Sequence, residues 1–361
     1  MVDFGLNSVA KLDRYIAKHV LGATVGVLLV LVGLDALSAL IDEAGDINGS
    51  YQLTNVLQYV GLTLPRRLYE FVPFAALIGA LIGLGRLASA SELVVARAAG
   101  ASMTTLAVTV LKPAIIFALA GFLVSEFITP VTEQIAISER ALAQRSDSNF
   151  VARGGTWNRD GDTYIHVAAV QRGGLIFGVT LLTYEENRAL SSSLRADRGT
   201  FMGDHWLLEN VRRNTIGVDR IETDEATLLR WDTEITPELL VLEVVDNESL
   251  PSAQLWSYAR FLRAQGLNSA DVELAFWRKV FQPLAAGGLV LVAISFIFGP
   301  LREGNMGARI FAGVIVGVVF RISQDFFGPA SLLYGIPAMI AAAVPIALCW
   351  LTGAWLLWRR G

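Results

Sequence analysis

Six long apolar stretches constrain the fold of this chain more than any other feature. Crossing a bilayer as a helix takes roughly 20 apolar residues, and the sequence holds stretches of about that length at 16–41, 68–87, 103–128, 276–298, 308–327 and 333–358. With 53% hydrophobic and only 17% charged residues, the composition is outside the usual range of soluble domains. The sequence therefore predicts an α-helical membrane protein with six spans in two groups of three.

The stretch between the two groups of spans has a different pattern. Charged residues are dense there, and short alternating segments follow turn signals such as Asp160-Gly161. Strands are expected at 163–167, 175–184, 194–201, 205–209, 227–231 and 239–245, and a helix at 252–265 leads back to the membrane. These signals predict an antiparallel sandwich or a β-jelly-roll-like domain.

The domain organisation follows from these two patterns. Residues 1–130 would hold the first three transmembrane helices, 131–271 the inserted all-β domain, and 272–361 the last three transmembrane helices. Within the first group, Pro65 is expected to separate a short helix at 53–64 from the second span, and the third span to end at Thr129-Pro130.

Basic residues set the expected orientation in the membrane. Short loops rich in Lys and Arg face the cytoplasm, and the basic positions are Lys11, Arg14, Lys18, Arg86, Arg97, Arg302, Arg309, Arg359 and Arg360. The loop after the first span is acidic, with Asp42, Glu43 and Asp46. We therefore expect both termini in the cytoplasm and the β domain on the opposite side. The first apolar run is too long for a cleavable signal peptide.

The amphipathic stretch RLASASELVVARAAGAS at 86–102 lies between the second and third spans, on the cytoplasmic side. Ser89 or Ser91 is suited to cap a helix, and Glu92 suits its positive N-terminal end. Gly100 is a natural stop. This pattern predicts a cytoplasmic helix at 88–100 on which a partner docks.

Pairs of glycines four residues apart recur in the spans. They are Gly22 and Gly26, Gly79 and Gly83, and Gly313 and Gly317. This spacing permits two helices to approach closely, because a glycine leaves no side chain between them.

Charges at membrane depth are candidates for function. Asp35 is either such a carboxylate or an acid that reaches back to the outer interface. Arg321 and Asp325 are four residues apart on one helix, so they either neutralise each other or Arg321 faces a cavity and an anionic substrate. Arg66 and Arg67 are suited to hold phosphate or to anchor the span at lipid head groups, and Arg140 would extend the same basic surface.

Several catalytic patterns are absent from the sequence. It has no GxxxxGK[ST] phosphate loop, HExxH, CxxC or GxSxG motif. The histidines, His19, His166 and His205, are far apart, and Cys349 is a single cysteine. We therefore predict no catalytic residue, no metal site and no cofactor of the chain's own. The formal net charge of −4 argues against a nucleic-acid partner.

A family resemblance covers the whole chain. Its motifs are LDRYIAKHVLG near the start, ALIGALIGLGRLASASELVVARAAG around residue 90, FQPL, SFIFGPLRE, MGARI, FGP and YGIP. In order and spacing they resemble the LptF/LptG family, the permeases of lipopolysaccharide export in Gram-negative inner membranes. The resemblance is weakest in the β domain.

The resemblance implies a set of partners and a task. The family assembles one LptF-like permease, one LptG-like permease and two copies of an LptB-like ATPase, which binds the ATP and Mg. LptC-like and LptA-like proteins continue the path across the periplasm. Lipopolysaccharide would leave the outer leaflet of the inner membrane through a cavity gated by spans one and five.

The resemblance also implies roles for particular residues. The ATPase-coupling set would be Ser91, Glu92, Leu93, Val94, Arg97, Ala98 and Gly100. The lipopolysaccharide-binding set would be Arg66, Arg67, Phe71, Arg140 and Arg321. The chain departs from relatives that carry lysines near the outer end of span one, since it has Ala39 and an acidic loop there.

Two other classes of function remain open at this point. One is a membrane scaffold whose β domain recruits periplasmic partners without transport. The other is an intramembrane enzyme acting on lipids, which the lack of a nucleophile–base pair or metal motif disfavours. The cytoplasmic amphipathic segment favours the transporter over the scaffold.

Overall fold

The computed structural model describes residues 5–47, 51–98, 100, 102–144, 156–171, 174–185, 189–217, 220–233, 235–237, 247–264, 268–299 and 305–359. The helices are α1 (Gly5–Ala44), α2 (Leu53–Ser89), α3 (Glu92–Ala98), α4 (Met103–Leu123), α5 (Thr129–Gln144), α6 (Ser252–Ala264), α7 (Ala270–Ile297), α8 (Met306–Tyr334) and α9 (Ala338–Trp358). A π-helical turn, Val124–Ile128, joins α4 to α5.

The chain divides into two compact units. The first contains residues 1–37, 64–128 and 251–361, and the second contains 38–63 and 129–250. Among the residues that the structure describes, six helical segments are long and apolar enough to cross a membrane: Asp13–Ala44, Leu53–Ser89, Met103–Arg140, Ala270–Ile297, Met306–Ser331 and Ala338–Trp358. The prediction of six spans, three on either side of an inserted domain, is confirmed.

The predicted helix break at Pro65 is wrong. Helix α2 continues from Leu53 to Ser89 through both Pro65 and Pro73. A proline removes one helical hydrogen bond, but membrane helices tolerate this where neighbouring groups satisfy the freed carbonyl. Such an environment cannot be read from the local sequence.

The helix does not stop at Thr129-Pro130, where the sequence predicts the end of the third span. The chain passes from α4 through the π-helical turn directly into α5, so the helical path continues to Gln144. Pro130 is the second residue of α5, next to a turn whose hydrogen bonding is already irregular. A π-helical turn often marks a functional position in a helix.

The first unit has an apolar core to which α1, α2, α3, α4, α7, α8 and α9 contribute. It includes Ile16, Leu77, Leu106, Leu289 and Ile346. Its closest helix contact involves the second glycine pair: a Cβ on Gly79 would lie 2.4 Å from Thr24 Cα, and one on Gly83 would lie 2.8 Å from Val20 Cα. The predicted close approach is therefore confirmed for this pair.

The other two glycine pairs differ. Within the described residues, a Cβ at Gly22 or Gly26 would meet nothing within 4 Å, so this pair mediates no helix contact in the chain. Gly313 does pack closely, with a Cβ position 2.7 Å from Leu81 Cδ1, and Gly317 lies beside Phe74.

The second unit contains a six-stranded antiparallel sheet. Its strands are β1 (Thr156–Asp160), β2 (Thr163–Gln171), β3 (Leu175–Tyr184), β4 (Leu190–Phe201), β5 (Trp206–Ile216) and β6 (Ile221–Trp231). Each strand pairs with the next in sequence. The predicted strand at 239–245 lies outside the described residues, and the inserted all-β domain is confirmed.

The sheet surrounds a buried apolar core of its own. Ile165, Val167, Ile176 and Leu208 are fully buried there. Trp206 is also buried, and its indole N–H donates to the carbonyl of Ile235 at 2.8 Å. A buried indole needs such an acceptor, so this bond fixes the chain after β6 against the sheet.

Candidate functional site

Helix α3 is the amphipathic segment that the sequence predicts at 88–100. It is shorter than expected, at Glu92–Ala98, because residues 88 and 89 still belong to α2. Leu93 and Ala96 are buried, whereas Val94, Val95 and Arg97 are exposed. One side of α3 therefore packs on the membrane helices, and the other presents an apolar and basic surface.

Different backbone features set the start and the end of α3. Ser91 adopts φ 61°, an unusual value for a residue other than glycine, and its carbonyl accepts from the N–H groups of Val94 and Val95 at 3.1 Å. At the other end, Gly100 has φ 97° and donates to the Arg97 carbonyl at 2.9 Å, which confirms the predicted glycine stop.

Ser89, one of the two serines considered from the sequence, is not the N-cap of α3. Its hydroxyl donates to the Gly85 carbonyl at 2.9 Å, within the last turn of α2. The side chain is therefore committed to the preceding helix and not to the first turn of α3.

Helix α3 is anchored to the bundle at two points. Leu93 is 4% exposed and belongs to the same apolar core as Ile16 and Leu106. The hydroxyl of Tyr15 donates to Glu92 Oε1 at 3.4 Å, a long contact at the limit of hydrogen bonding. A displacement of α3 would therefore be felt by α1 and α4.

Arg66 and Arg67 each contact a carboxylate in the first unit. Arg66 Nη1 lies 3.2 Å from Glu70 Oε1, one turn along α2. Arg67 pairs with Asp35 of α1. Asp35 thus has a basic partner at membrane depth, an arrangement that lowers the cost of both charges there.

Phe71 lies one turn along α2 from Arg67 and packs on apolar residues. It lies against the apolar cluster of Leu28, Val32 and Ala75, and its ring centroid is 6.5 Å from that of Phe74 in an edge-on arrangement. The predicted set of Arg66, Arg67 and Phe71 is therefore contiguous on α2, with an apolar side formed together with α1.

Arg140, in the second unit, is held by the acidic loop after α1. Its Nε lies 2.6 Å from Glu43 Oε1 and its Nη2 lies 3.0 Å from Asp46 Oδ2. The guanidinium also stacks over the ring of Tyr59 at 5.0 Å. It lines a small pocket together with Asn55, Gln58, Tyr59, Leu62, Ala136 and Glu139.

Tyr51 completes the group around Arg140. Its hydroxyl donates to Glu43 Oε1 at 2.7 Å, and its side chain is 1% exposed. Burial, together with this bond to a carboxylate, raises the pKa of Tyr51 above its ordinary value. Glu43 therefore links a neutral phenol to a charged guanidinium.

Arg321 and Asp325 form the pair that their spacing predicts. Nε of Arg321 lies 3.1 Å from Asp325 Oδ2 on α8, and both side chains are more than half exposed. Arg66, Arg67 and Arg321 belong to the first unit and Arg140 to the second. Each of these four predicted lipid-binding arginines contacts a carboxylate of its own unit.

Two charged residues at membrane depth were missed from the sequence. Lys279 of α7 is 4% exposed and donates to the Ser125 carbonyl at 3.0 Å. Glu126, in the π-helical turn, lies 3.7 Å from the Lys279 ammonium. The sequence could have identified both residues, because they lie in or beside apolar spans, where any ionisable group is a candidate functional residue.

No group of three or more His, Cys, Asp and Glu side chains suited to hold a metal ion occurs among the described residues. The arginines described above could bind a phosphate through charge-assisted hydrogen bonds if it displaced their carboxylate partners.

Comparison with known proteins decides the family. The model for the lipopolysaccharide export system permease LptF/LptG matches residues 14–359. The chain belongs to the LptF/LptG family. It is 36% identical over 352 residues to the Haemophilus influenzae lipopolysaccharide export system permease protein LptG, covering 97% of this chain and 98% of that protein. The Escherichia coli K12 protein of the same name is 35% identical over 355 residues, with the same coverage.

Membership of the LptF/LptG family confirms the resemblance in the sequence motifs. The match extends through all six spans and the inserted β domain. The function is accordingly that of a membrane permease in lipopolysaccharide export.

Proposed function

We propose that this permease extracts lipopolysaccharide from the outer leaflet of the inner membrane and passes it to a periplasmic bridge, with energy from a separate ATPase. Extraction exposes acyl chains at about 0.8 kcal/mol per CH₂, so repeated release needs an external energy source. The sequence has no phosphate-binding loop to supply it. ATP and Mg would be bound by the partner ATPase.

The observation that carries this proposal is the anchored, half-exposed helix α3. Leu93 is buried in the core of the bundle, while Val94, Arg97 and Ala98 stand outside it. Such a helix is suited to receive a partner on its outer side and to transmit displacement through its inner side. Glu92 is the proposed acidic contact, flanked by Ser91 and Gly100, which define the two ends.

The lipid would be held by basic residues beside apolar ones. Arg66, Arg67 and Arg321 are suited to meet lipid A phosphates, because guanidinium groups bind phosphate through two parallel donors. Phe71 and the apolar cluster beside it would replace acyl-chain contacts. Arg140 would extend the path, provided that phosphate exchanges with its carboxylate partners.

The proposed setting is the inner membrane, with both termini cytoplasmic and the β domain periplasmic. Exposed basic residues near the N-terminal end of α1, at the end of α2 and on α3 support this orientation; they are Arg14, Lys18, Arg86 and Arg97. The proposed assembly has one LptF-like permease and two LptB-like ATPases, with LptC-like and LptA-like proteins beyond the β domain.

The test is purification of the tagged chain from inner membranes, with detection of an ATPase and a second six-span permease. Glu92→Ala should remove the ATPase and stop ATP-dependent release of lipopolysaccharide. Tyr15→Phe is the matched control, because it deletes the hydroxyl that contacts Glu92 inside the chain and leaves the carboxylate in place.

The two variants separate an external from an internal role of Glu92. If Tyr15→Phe retains the ATPase and Glu92→Ala does not, the carboxylate acts on the partner. Retention of the ATPase and unchanged lipid release in Glu92→Ala would refute the docking proposal, and retrieval of periplasmic proteins alone would favour a scaffold.

A further inference from the structure

Arg309 is a buried arginine in the first turn of α8. Only 2% of the residue is exposed. Its Nη1 donates to the Gly85 carbonyl at 2.6 Å and to the Ser89 hydroxyl at 3.0 Å, both in the last turns of α2. The start of α8 is well defined, since Asn305 caps it by accepting from the Ala308 N–H at 2.8 Å.

The charge of Arg309 is unfavourable for its own helix and favourable for α2. A cation near the first turn of a helix opposes the helix dipole, whereas a cation at the last turn is stabilised by it. The last carbonyls of a helix also lack partners within the helix. Arg309 therefore gains its interaction energy at the end of α2, and its position stabilises the contact between α2 and α8.

Gly85 makes room for this contact. A Cβ at that position would lie 2.9 Å from both Cδ and Nη1 of Arg309, closer than a side chain tolerates without moving. The absence of a side chain at Gly85 thus lets the guanidinium reach the backbone carbonyl of that residue.

The contact continues along one side of α8. Gly313 packs on Leu81, and Gly317 packs on Phe74. Arg309, Gly313 and Gly317 are spaced by four residues, so they form one line on α8 that runs antiparallel to α2. Among the described residues, the most apolar part of α8 is less buried than those of α2 and α7, at 22% of its positions against 67% and 72%.

We propose that Arg309 is a positioning residue that connects the fifth span to the ATPase-coupling segment. Helix α2 ends at Ser89, and α3 begins at Glu92. A displacement of α3 therefore moves the last turn of α2, and the guanidinium carries this movement to the first turn of α8. The inference rests on the proposed function, in which an ATPase acts on α3.

The experiment uses the full complex in vesicles and measures lipopolysaccharide released per ATP hydrolysed. Arg309→Met removes the charge and keeps the aliphatic stem, Arg309→Lys keeps the charge, and Gly85→Ala disturbs the contact from the side of α2. Arg86→Met is the matched control, because Arg86 ends the same helix but is exposed.

The Arg309→Met complex should retain the ATPase and hydrolyse ATP as before, while the amount of lipid released per ATP falls by about fivefold or more. Fivefold is about the smallest effect that one coupled site typically has on another. Arg309→Lys should restore part of the ratio, and Arg86→Met should leave it unchanged. Gly85→Ala should lower the ratio in the same direction as Arg309→Met.

An unchanged ratio in Arg309→Met, with only less assembled complex, would show a purely structural role and overturn the proposal. If Arg309→Met does not accumulate, an unchanged ratio in both Gly85→Ala and Arg309→Lys overturns it, and a lowered ratio in Gly85→Ala supports it. Failure of the unaltered chain to retain any ATPase would instead refute the proposed function itself.

Discussion

The ammonium group of Lys279 donates a hydrogen bond to the carbonyl of Ser125 at 3.0 Å, within the π-helical turn that continues the third span. The same ammonium lies 3.7 Å from Glu126 Oε2. Both oxygens of Glu126 accept from the N–H of Ser252, at 3.0 and 3.1 Å, where α6 begins. A buried lysine and a largely buried glutamate thus connect α7, the irregular turn and the helix that returns from the β domain.

Breaking this pair should destabilise the protein strongly. Lys279→Met leaves the Glu126 carboxylate without its cation, and removing one partner of a buried ion pair costs about 3–5 kcal/mol. The thermal midpoint in detergent, followed by tryptophan fluorescence, should fall well below that of the unaltered chain. Lys112→Met, at an exposed position on α4, serves as the control.

The double variant Lys279→Met with Glu126→Gln should recover part of the lost stability, because no charge is then left buried. The glutamine oxygen can still accept from Ser252. Equal midpoints for Lys279→Met and Lys112→Met would contradict an energetic role for the pair.

Gly79 should tolerate no side chain, whereas Gly26 should. A Cβ on Gly79 would lie 2.4 Å from the backbone Cα of Thr24, which no rotamer change can relieve. Gly79→Ala should therefore cost about 1–3 kcal/mol through overpacking, despite the better helix propensity of alanine. Gly26→Ala meets open space in the described chain and should gain up to about 1 kcal/mol. Thermal midpoints of the two variants check this, and a smaller loss for Gly79→Ala than for Gly26→Ala would contradict it.

Neutralising the partners of Arg140 should increase its contact with lipid. Glu43 and Asp46 compete with phosphate for the same guanidinium. Photocrosslinking of lipopolysaccharide from a probe at Asn55, which lines the same pocket, should rise by about two- to fivefold in Glu43→Gln, as expected for an ion pair worth up to about 1 kcal/mol. Arg140→Gln should lower it. An unchanged signal in both variants would remove Arg140 from the lipid-binding set.

The contribution of Tyr51 to the stability of the folded protein should decrease at alkaline pH. Its pKa is raised in the folded protein by burial and by the bond to Glu43. The unfolded phenol ionises near its ordinary pKa of about 10, so the stabilising contribution is complete below that pH and is lost as the pH rises toward the folded pKa. The thermal midpoint of the unaltered chain should exceed that of Tyr51→Phe at about pH 8, and the gap should narrow at about pH 10.5. A gap independent of pH would contradict this assignment.

The spans and most of the β strands were predictable because both follow from local patterns. Strand β1 at Thr156–Asp160 was missed, and β5 and β6 extend beyond the predicted segments 205–209 and 227–231. A stretch of about 20 apolar residues has few alternatives to a membrane helix, and alternation with turn residues indicates strands in the same local manner. The helix breaks at Pro65 and Pro130 were predicted wrongly, because whether a proline ends a helix depends on the groups packed around the carbonyl that it frees.

The candidate site was only partly predictable. Glu92 and Gly100 carry local signals of helix start and stop, and both lie at the ends of α3 as expected. Arg66, Arg67 and Arg140 were identified as basic residues, but their carboxylate partners were not. In two of these three cases the partner lies on a distant part of the chain, as with Arg67 and Asp35, and spacing within one helix carries no information about it.

The sequence by itself determined the six spans, the inserted β domain and the amphipathic segment at α3, since hydrophobic periodicity acts along the chain. Only the tertiary structure decided which charged groups meet partners on other helices. Arg309 and Gly85 are 224 residues apart in the sequence, and Lys279 and Ser125 are 154 residues apart. Such pairs form because burial forces each charge to find a partner, and the partner available is set by how the helices pack.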